Sequence, residues 1–126
     1  LKSPGNGKMT LSYEDCVAMR EILSLIGDKW SVMVIVNLSE GAVRFSDLKR
    51  AIEGISQRVL THTLRGLERD GLVKRTVHPT KPPSVNYVLT ALGRTLIDPV
   101  SALARWAHQN RPEIERARES FERATP

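Results

Sequence analysis

Apolar residues recur at helical spacing along most of the chain and switch to alternation in one short stretch. Ser12-Tyr13-Glu14-Asp15 has the form of a helix start, a hydroxyl cap followed by acids that suit the helix dipole. Val17, Ile22, Leu25 and Ile26 give that helix an apolar side until Gly27 ends it. Asp28 is placed to cap a second helix reaching about Leu38, with Trp30, Val34 and Leu38 one turn apart, before Ser39-Glu40-Gly41. Arg44-Phe45 leaves room for only a very short extended piece. Ser46 then offers a cap for a short helix over residues 47–52, with Leu48 and Ile52 inward. After the Gly54-Ile55 turn, Ser56 caps a longer helix that runs to Asp70 and stops at Gly71. Residues 72–77 read as a strand, residues 79–84 with three prolines as a loop, and Val85, Tyr87 and Leu89 as the returning strand. Thr90 is expected to cap a long helix carrying Leu92, Leu96, Val100, Leu103 and Trp106, kinked at Pro99. A last helix from Pro112 carries Ile114, Ala117, Phe121 and Ala124 on one side.

Two short helices joined by a tight turn and followed by a hairpin form the order of a winged helix-turn-helix. The predicted fold class is therefore mainly α with a small β-hairpin, flanked by N- and C-terminal helices that serve dimerisation. The expected organisation is a disordered or trimmed tail over residues 1–11, the winged helix-turn-helix over 12–110, and a C-terminal extension over 111–126.

The second helix of the pair carries the chemistry. At about 100° per residue, Leu60, Leu64 and Leu67 fall on one side. Arg58, His62, Arg65 and Arg69 lie opposite, with Thr61 flanking them. Arginine pairs bidentately with guanine, and Gln and Thr suit adenine or a thymine methyl. Only the N-terminal half of such a helix enters the major groove, so Gln57, Arg58, Thr61, His62 and Arg65 are the candidate base readers. Ser56 and the unpaired N–H groups beside it suit a phosphate. Lys74, Arg75, His78 and Lys81, on the first hairpin strand and its tip, are candidates for backbone or minor-groove contact. Arg44, Ser46 and Lys49 are candidate phosphate clamps.

Charge sharpens this picture. The 126 residues carry a net charge of +5. Between Arg44 and Lys81, nine basic residues face four acidic ones, whereas ten of each sign cancel elsewhere. The whole excess thus falls on the helix pair and hairpin, which suggests a polyanionic partner. The expected partner is double-stranded DNA.

Other classes find less support. The longest apolar run, residues 32–36, is far short of the roughly 20 residues a membrane helix needs. With no secretory signal and a single cysteine, the expected setting is the cytoplasm. No Ser/His/Asp or Cys/His spacing, phosphate-binding glycine loop or metal-ligand cluster stands out, so neither enzyme activity nor a metal or other cofactor is expected. A winged helix that binds protein or RNA is the rival reading. Specific RNA readers stack bases on exposed aromatics, and the second helix of the pair, the candidate recognition helix, has none of the chain's six Phe, Trp and Tyr residues.

Several linked segments also carry a family likeness. Gly27-Asp28-Lys29-Trp30, Arg44-Phe45-Ser46-Asp47-Leu48, Gly54-Ile55-Ser56-Gln57-Arg58-Val59-Leu60-Thr61, Leu64-Arg65-Gly66-Leu67-Glu68-Arg69-Asp70-Gly71-Leu72-Val73 and Tyr87-Val88-Leu89-Thr90-Ala91-Leu92-Gly93 resemble the HxlR-type bacterial regulators in order and spacing. The resemblance covers roughly residues 16–107. It implies a homodimer on a partly palindromic operator, often beside the gene it controls. Gln57 departs from the proline or lysine frequent there, and the helix after Pro112 extends past the usual core.

Two further expectations concern assembly and control. Ile114, Ala117, Phe121 and Ala124 follow the 3, 4, 3 spacing of a coiled-coil seam, a candidate dimer contact alongside the first helix. The alternative packs this stripe on its own domain. Glu119 with Arg123 and Arg118 with Glu122 are placed to brace that helix. Cys16 lies in the first turn of the first helix, where the dipole favours thiolate, and Arg20 follows one turn later while Glu14 and Asp15 oppose. Residue chemistry alone reads Cys16 as a small buried hydrophobe. The resemblance reads it as a redox sensor, with oxidants or electrophiles as effectors. A small-molecule effector pocket between the C-terminal helices and the DNA-binding core is a further candidate.

Overall fold

The computed structural model describes residues 10–124. Its elements are α1 (Tyr13–Ile26), α2 (Lys29–Asn37), β1 (Val43–Arg44), α3 (Phe45–Ala51), α4 (Gln57–Arg69), β2 (Val73–His78), β3 (Ser84–Leu89), α5 (Ala91–Arg94) and α6 (Ile97–Ala124). The strands form one antiparallel sheet in the order β1-β3-β2. This is a winged helix-turn-helix, with α3 and α4 as the helix pair and β2–β3 as the wing.

Local hydrogen bonds explain where most helices begin. The Ser12 hydroxyl oxygen accepts from the Asp15 amide at 3.1 Å while the Asp15 carboxylate accepts from the Ser12 amide at 3.4 Å, a capping box. Asp28 accepts from the Trp30 amide at 3.0 Å, and Ser56 from the Val59 amide at 3.1 Å. Each is an oxygen acceptor satisfying an amide that the helix itself leaves unpaired.

The core forms around α2, which packs against α1, α3, α4 and α6. Val34, Ile35 and Leu38 of α2 meet Leu48 and Ile52 of α3, Ile55, and Leu60, Leu64 and Leu67 of α4, all buried. Leu72, Val73, Tyr87 and Leu89 close it from the sheet side, and Val100 is the one fully buried residue of α6. Trp30 is half-buried against this cluster, with the Lys29 ammonium 4.8 Å from its ring centre.

Four expectations need correction. Ser46 does not cap α3: the helix starts one residue earlier, at Phe45, with Arg44 in the cap position and no side-chain cap. The pairing of Val43 with Tyr87 and Arg44 with Asn86 moves the strand back by one and turns Phe45 towards Tyr87, with ring centres 6.5 Å apart. Thr90 caps only the short α5, and the chain breaks before α6 begins at Ile97. Pro99 consequently lies in the first turn of α6, where an amide would lack a partner anyway, and produces no interior break. Finally, no separate helix starts at Pro112, because α6 runs straight through it. The surrounding residues are mostly exposed, so water is at hand for the carbonyl that Pro112 deprives of a partner, and the Arg111–Glu115 ion pair at 3.3 Å spans the site.

The expected boundary at 110/111 therefore falls inside an unbroken helix. Most of the expected tail, residues 1–9, lies outside the described residues. At the far end, the Glu119–Arg123 pair forms at 3.9 Å, while Arg118 and Glu122 form no ion pair.

Candidate nucleic-acid interface

The turn between α4 and the wing sets the geometry of the site. Gly71 takes a φ of +77°, a left-handed conformation that an L side chain resists, and so turns the chain from helix into strand. The Thr90 hydroxyl donates to the Gly71 carbonyl at 2.6 Å, and the Thr90 amide donates to the Leu72 carbonyl at 3.0 Å. The end of the recognition helix, the root of the wing and the start of α5 are thereby tied at one point.

The recognition helix divides as its spacing predicts. Leu60, Leu64 and Leu67 are buried, joined by Thr63, and Gln57, Arg58, His62, Arg65 and Arg69 are exposed on the other side. Thr61 is half-buried and, with Arg58, Val59, His62 and Arg65, lines a shallow depression on the outer face. The Ser56 oxygen is engaged by the Val59 amide. An anion at this terminus would therefore meet the Ser56 O–H and the first helical amides, not a free serine acceptor.

A cleft of about 650 Å³ separates the wing loop from the start of α3. Arg44, Phe45 and Ser46 form one wall, and Thr80, Lys81, Ser84 and Tyr87 contribute to the other. Arg44, Ser46 and Lys81 are exposed, so two cations and several hydroxyls share one opening. Lys49 is exposed on α3 but lines no part of this cleft.

The wing is less uniform than its sequence suggests. Alternation along β2 directs Lys74, with Thr76 and His78, to one sheet face. Arg75 lies on the other, opposite Tyr87 and on the face of buried Val73. Lys74 and Arg75 are both exposed but do not act on the same side, and His78 is half-buried.

Sequence reasoning missed an arginine and a carboxylate in this neighbourhood. Asp47 receives a hydrogen bond from Arg44 Nε at 3.2 Å and a second from Arg50. The hydrogen bond from Arg44, followed by the charges of Arg44 and Arg50, holds the Asp47 carboxyl below its ordinary range against an opposing desolvation effect. The signal was present, since opposite charges three residues apart face each other on a helix.

Cys16 lies apart from these clefts, in the first turn of α1, and it is exposed. The buried reading of this residue is therefore wrong: α1 contributes no fully buried side chain, and its apolar residues Ile22 and Leu23 are more than half exposed. An apolar cleft of about 470 Å³ lies between α1, the end of α4 and α5, with Ile22, Ile26, Leu72, Leu92 and Leu96 in its walls. Leu92, Thr95 and Leu96, residues expected on the long helix after Thr90, line it, whereas α6 itself contributes none of its walls. Among the described residues no group of three or more metal-ligating side chains occurs, and no helix is long and apolar enough to cross a membrane.

The chain is similar to known proteins in sequence and fold. The HTH-type transcriptional regulator YtfH of Escherichia coli is 43% identical over 104 residues, 82% of each chain. The solved structure of the regulator YtfH from Salmonella typhimurium superposes with a TM-score of 0.76 at 42% identity, over 80% of this chain and 90% of that one. The redox regulator HypR in its oxidised form superposes with a TM-score of 0.68 at 39% identity, covering 74% and 96%. Both YtfH proteins are described as transcriptional regulators, and HypR as a redox regulator. The pattern of the HxlR-like helix-turn-helix family matches residues 25–115, and the chain belongs to that family of transcriptional regulators.

Proposed function

We propose that the protein acts as a homodimer in the cytoplasm and binds a palindromic operator in a sequence-specific manner, with oxidants or electrophiles acting through Cys16. The observation that carries the DNA reading is α4, whose outer face presents three arginines, a histidine and a threonine over a buried leucine stripe. In this reading Gln57, Arg58, Thr61, His62 and Arg65 contact base edges, and Ser56 with the helix terminus holds a phosphate. Arg44, Ser46, Lys49, Lys74, Arg75, His78 and Lys81 supply the backbone contacts, with Lys74 and Arg75 acting from opposite faces of β2 and so not on the same stretch of DNA.

The test is a gel shift on the DNA flanking the protein's own gene. Arg65→Ala is expected to cost about 1–3 kcal/mol on the operator and to relax base preference at one position. Lys81→Ala is expected to weaken binding on every sequence about equally. Equal, sequence-independent losses from both changes would refute this division of labour, and a chain indifferent to duplex DNA would favour a protein- or RNA-binding role.

The dimer reading rests on apolar surface. Ile22, Leu23, Leu103 and Trp106 are each more than half exposed on α1 and α6, a density that favours a covering partner. Beyond Val100, α6 extends away from the core, with Ile114 half-buried and Ala117 and Ala124 exposed. A two-fold dimer would set the recognition helices about 34 Å apart, one turn of DNA. Sedimentation is expected to give a dimer at micromolar concentration, and a monomer there would exclude this assembly.

The effector reading rests on the exposure of Cys16 and on the likeness to HypR, which is a redox regulator. The sequence holds one cysteine, so any disulfide must join two protomers or a small thiol. Oxidant is expected to change DNA binding of the wild type and to leave Cys16→Ser unaffected. An unchanged response in the variant would remove Cys16 from the mechanism.

A further inference from the structure

We infer that Asp47 is a positioning residue, holding Arg44 and Arg50 as a two-pronged clamp for the phosphate backbone; this rests on the DNA-binding reading above. Asp47 stands in the first turn of α3, three residues after Arg44 and three before Arg50, so the three side chains share one flank of the helix. One carboxylate oxygen accepts from Arg44 Nε at 3.2 Å, and the other accepts from Arg50.

The arrangement makes little sense as a stabilising device. Its side chains are 56%, 39% and 71% exposed for Arg44, Asp47 and Arg50, and exposed ion pairs contribute little to folding. What it does achieve is geometric. Two like-charged guanidinium groups that would otherwise repel are drawn to the two oxygens of a single carboxylate, and the cluster keeps a net positive charge. Each guanidinium has five N–H donors in a planar fork, and the carboxylate occupies only part of each. Both arginine side chains stay more than half exposed, and Arg44 also lines the cleft it shares with Lys81.

Both supports are also fixed in the fold. Arg44 is paired through its backbone with Asn86 of the wing, and Leu48, on the next turn of α3, is fully buried. The clamp thus keeps a set position relative to both the wing and the recognition helix. Phosphate contacts of this kind set register on the duplex and thereby align the base readers. Without Asp47 the arginines would still attract DNA, but as mobile charges.

The role separates from simple charge in a binding experiment. Fluorescence anisotropy would follow wild type, Asp47→Asn, Asp47→Glu, Arg44→Ala and the double variant Asp47→Asn with Arg44→Ala. The probes are the duplex flanking the protein's own gene and an unrelated duplex of equal length, with circular dichroism confirming that each variant is folded. Asp47→Asn removes one negative charge, so binding to the unrelated duplex should hold or rise while preference for the operator falls by about tenfold. Arg44→Ala should cost about tenfold on the operator in wild type but under about threefold when Asp47 is already Asn, a non-additivity that marks coupling. Asp47→Glu should recover most of the preference. Equal strengthening on both duplexes, with an unchanged Arg44→Ala cost, would show that the carboxylate only screens charge and would overturn the inference. Failure of the wild type to prefer its own flanking DNA would instead overturn the operator reading, and is seen before any substitution is made.

Discussion

Gly93→Ala is expected to lower the unfolding free energy by about 3 kcal/mol or more, a larger loss than most single substitutions cause. Gly93 is buried in α5, and a Cβ there would stand 2.0 Å from the Leu72 carbonyl oxygen and 3.2 Å from a Leu89 methyl group. The first contact is with backbone, and that carbonyl already accepts the Thr90 amide at the junction of recognition helix, wing and α5. Relief therefore requires moving a main chain held from three sides. Gly66→Ala is the control: there the added Cβ meets only a Leu25 methyl at 2.9 Å, the far end of a flexible side chain. A helix-interior glycine also gives up about 1 kcal/mol relative to alanine, which offsets that crowding. Urea denaturation is expected to show a strongly reduced midpoint for Gly93→Ala and a small change for Gly66→Ala. A loss below about 1 kcal/mol at Gly93 would mean that the α5 junction yields easily.

Raising salt from about 50 to 200 mM is expected to weaken operator binding by roughly 10³- to 10⁵-fold, the range for six to ten neutralised phosphates. The structure offers exposed cations in sufficient number: Arg44, Lys49, Lys74, Arg75 and Lys81, each present twice in a dimer. Not all of them are placed to bind at once, because Lys74 and Arg75 project from opposite faces of β2. In the proposed dimer, Lys81→Ala should lower the slope of log affinity against log salt by about 2, one contact from each protomer. Titration of labelled DNA at five or six salt concentrations reads this directly. A wild-type slope shallower than about 2 would show that phosphate contacts do not drive the association, and the clamp residues would lose their assigned role.

Much of this protein was legible because its signals are local. Ser12, Asp28 and Ser56 bond to amides two or three residues onward, so their helix starts depend on almost nothing distant. The leucine stripe and the arginine face of α4 follow from spacing alone, and so does the gathering of positive charge between Arg44 and Lys81. Other features depended on residues far apart in the chain. The start of α3 moved because β1 pairs with β3, more than forty residues later. The break before α6 comes where Thr90 is tied back to Gly71 and Gly93 is pressed against Leu72. Pro112 lies inside α6 without ending it, in a stretch that is mostly exposed.

The sequence by itself determined the helix pair, the wing, the reading face and the charge that draws a polyanion, since each arises from periodicity or from bonds within a single turn. Only the tertiary structure decided which face of the wing is buried, that Cys16 is exposed, and that Arg44 and Lys81 come to line one cleft. Those outcomes depend on strand register and on how helices pack, and the free energy that settles them is spread over contacts between distant parts of the chain.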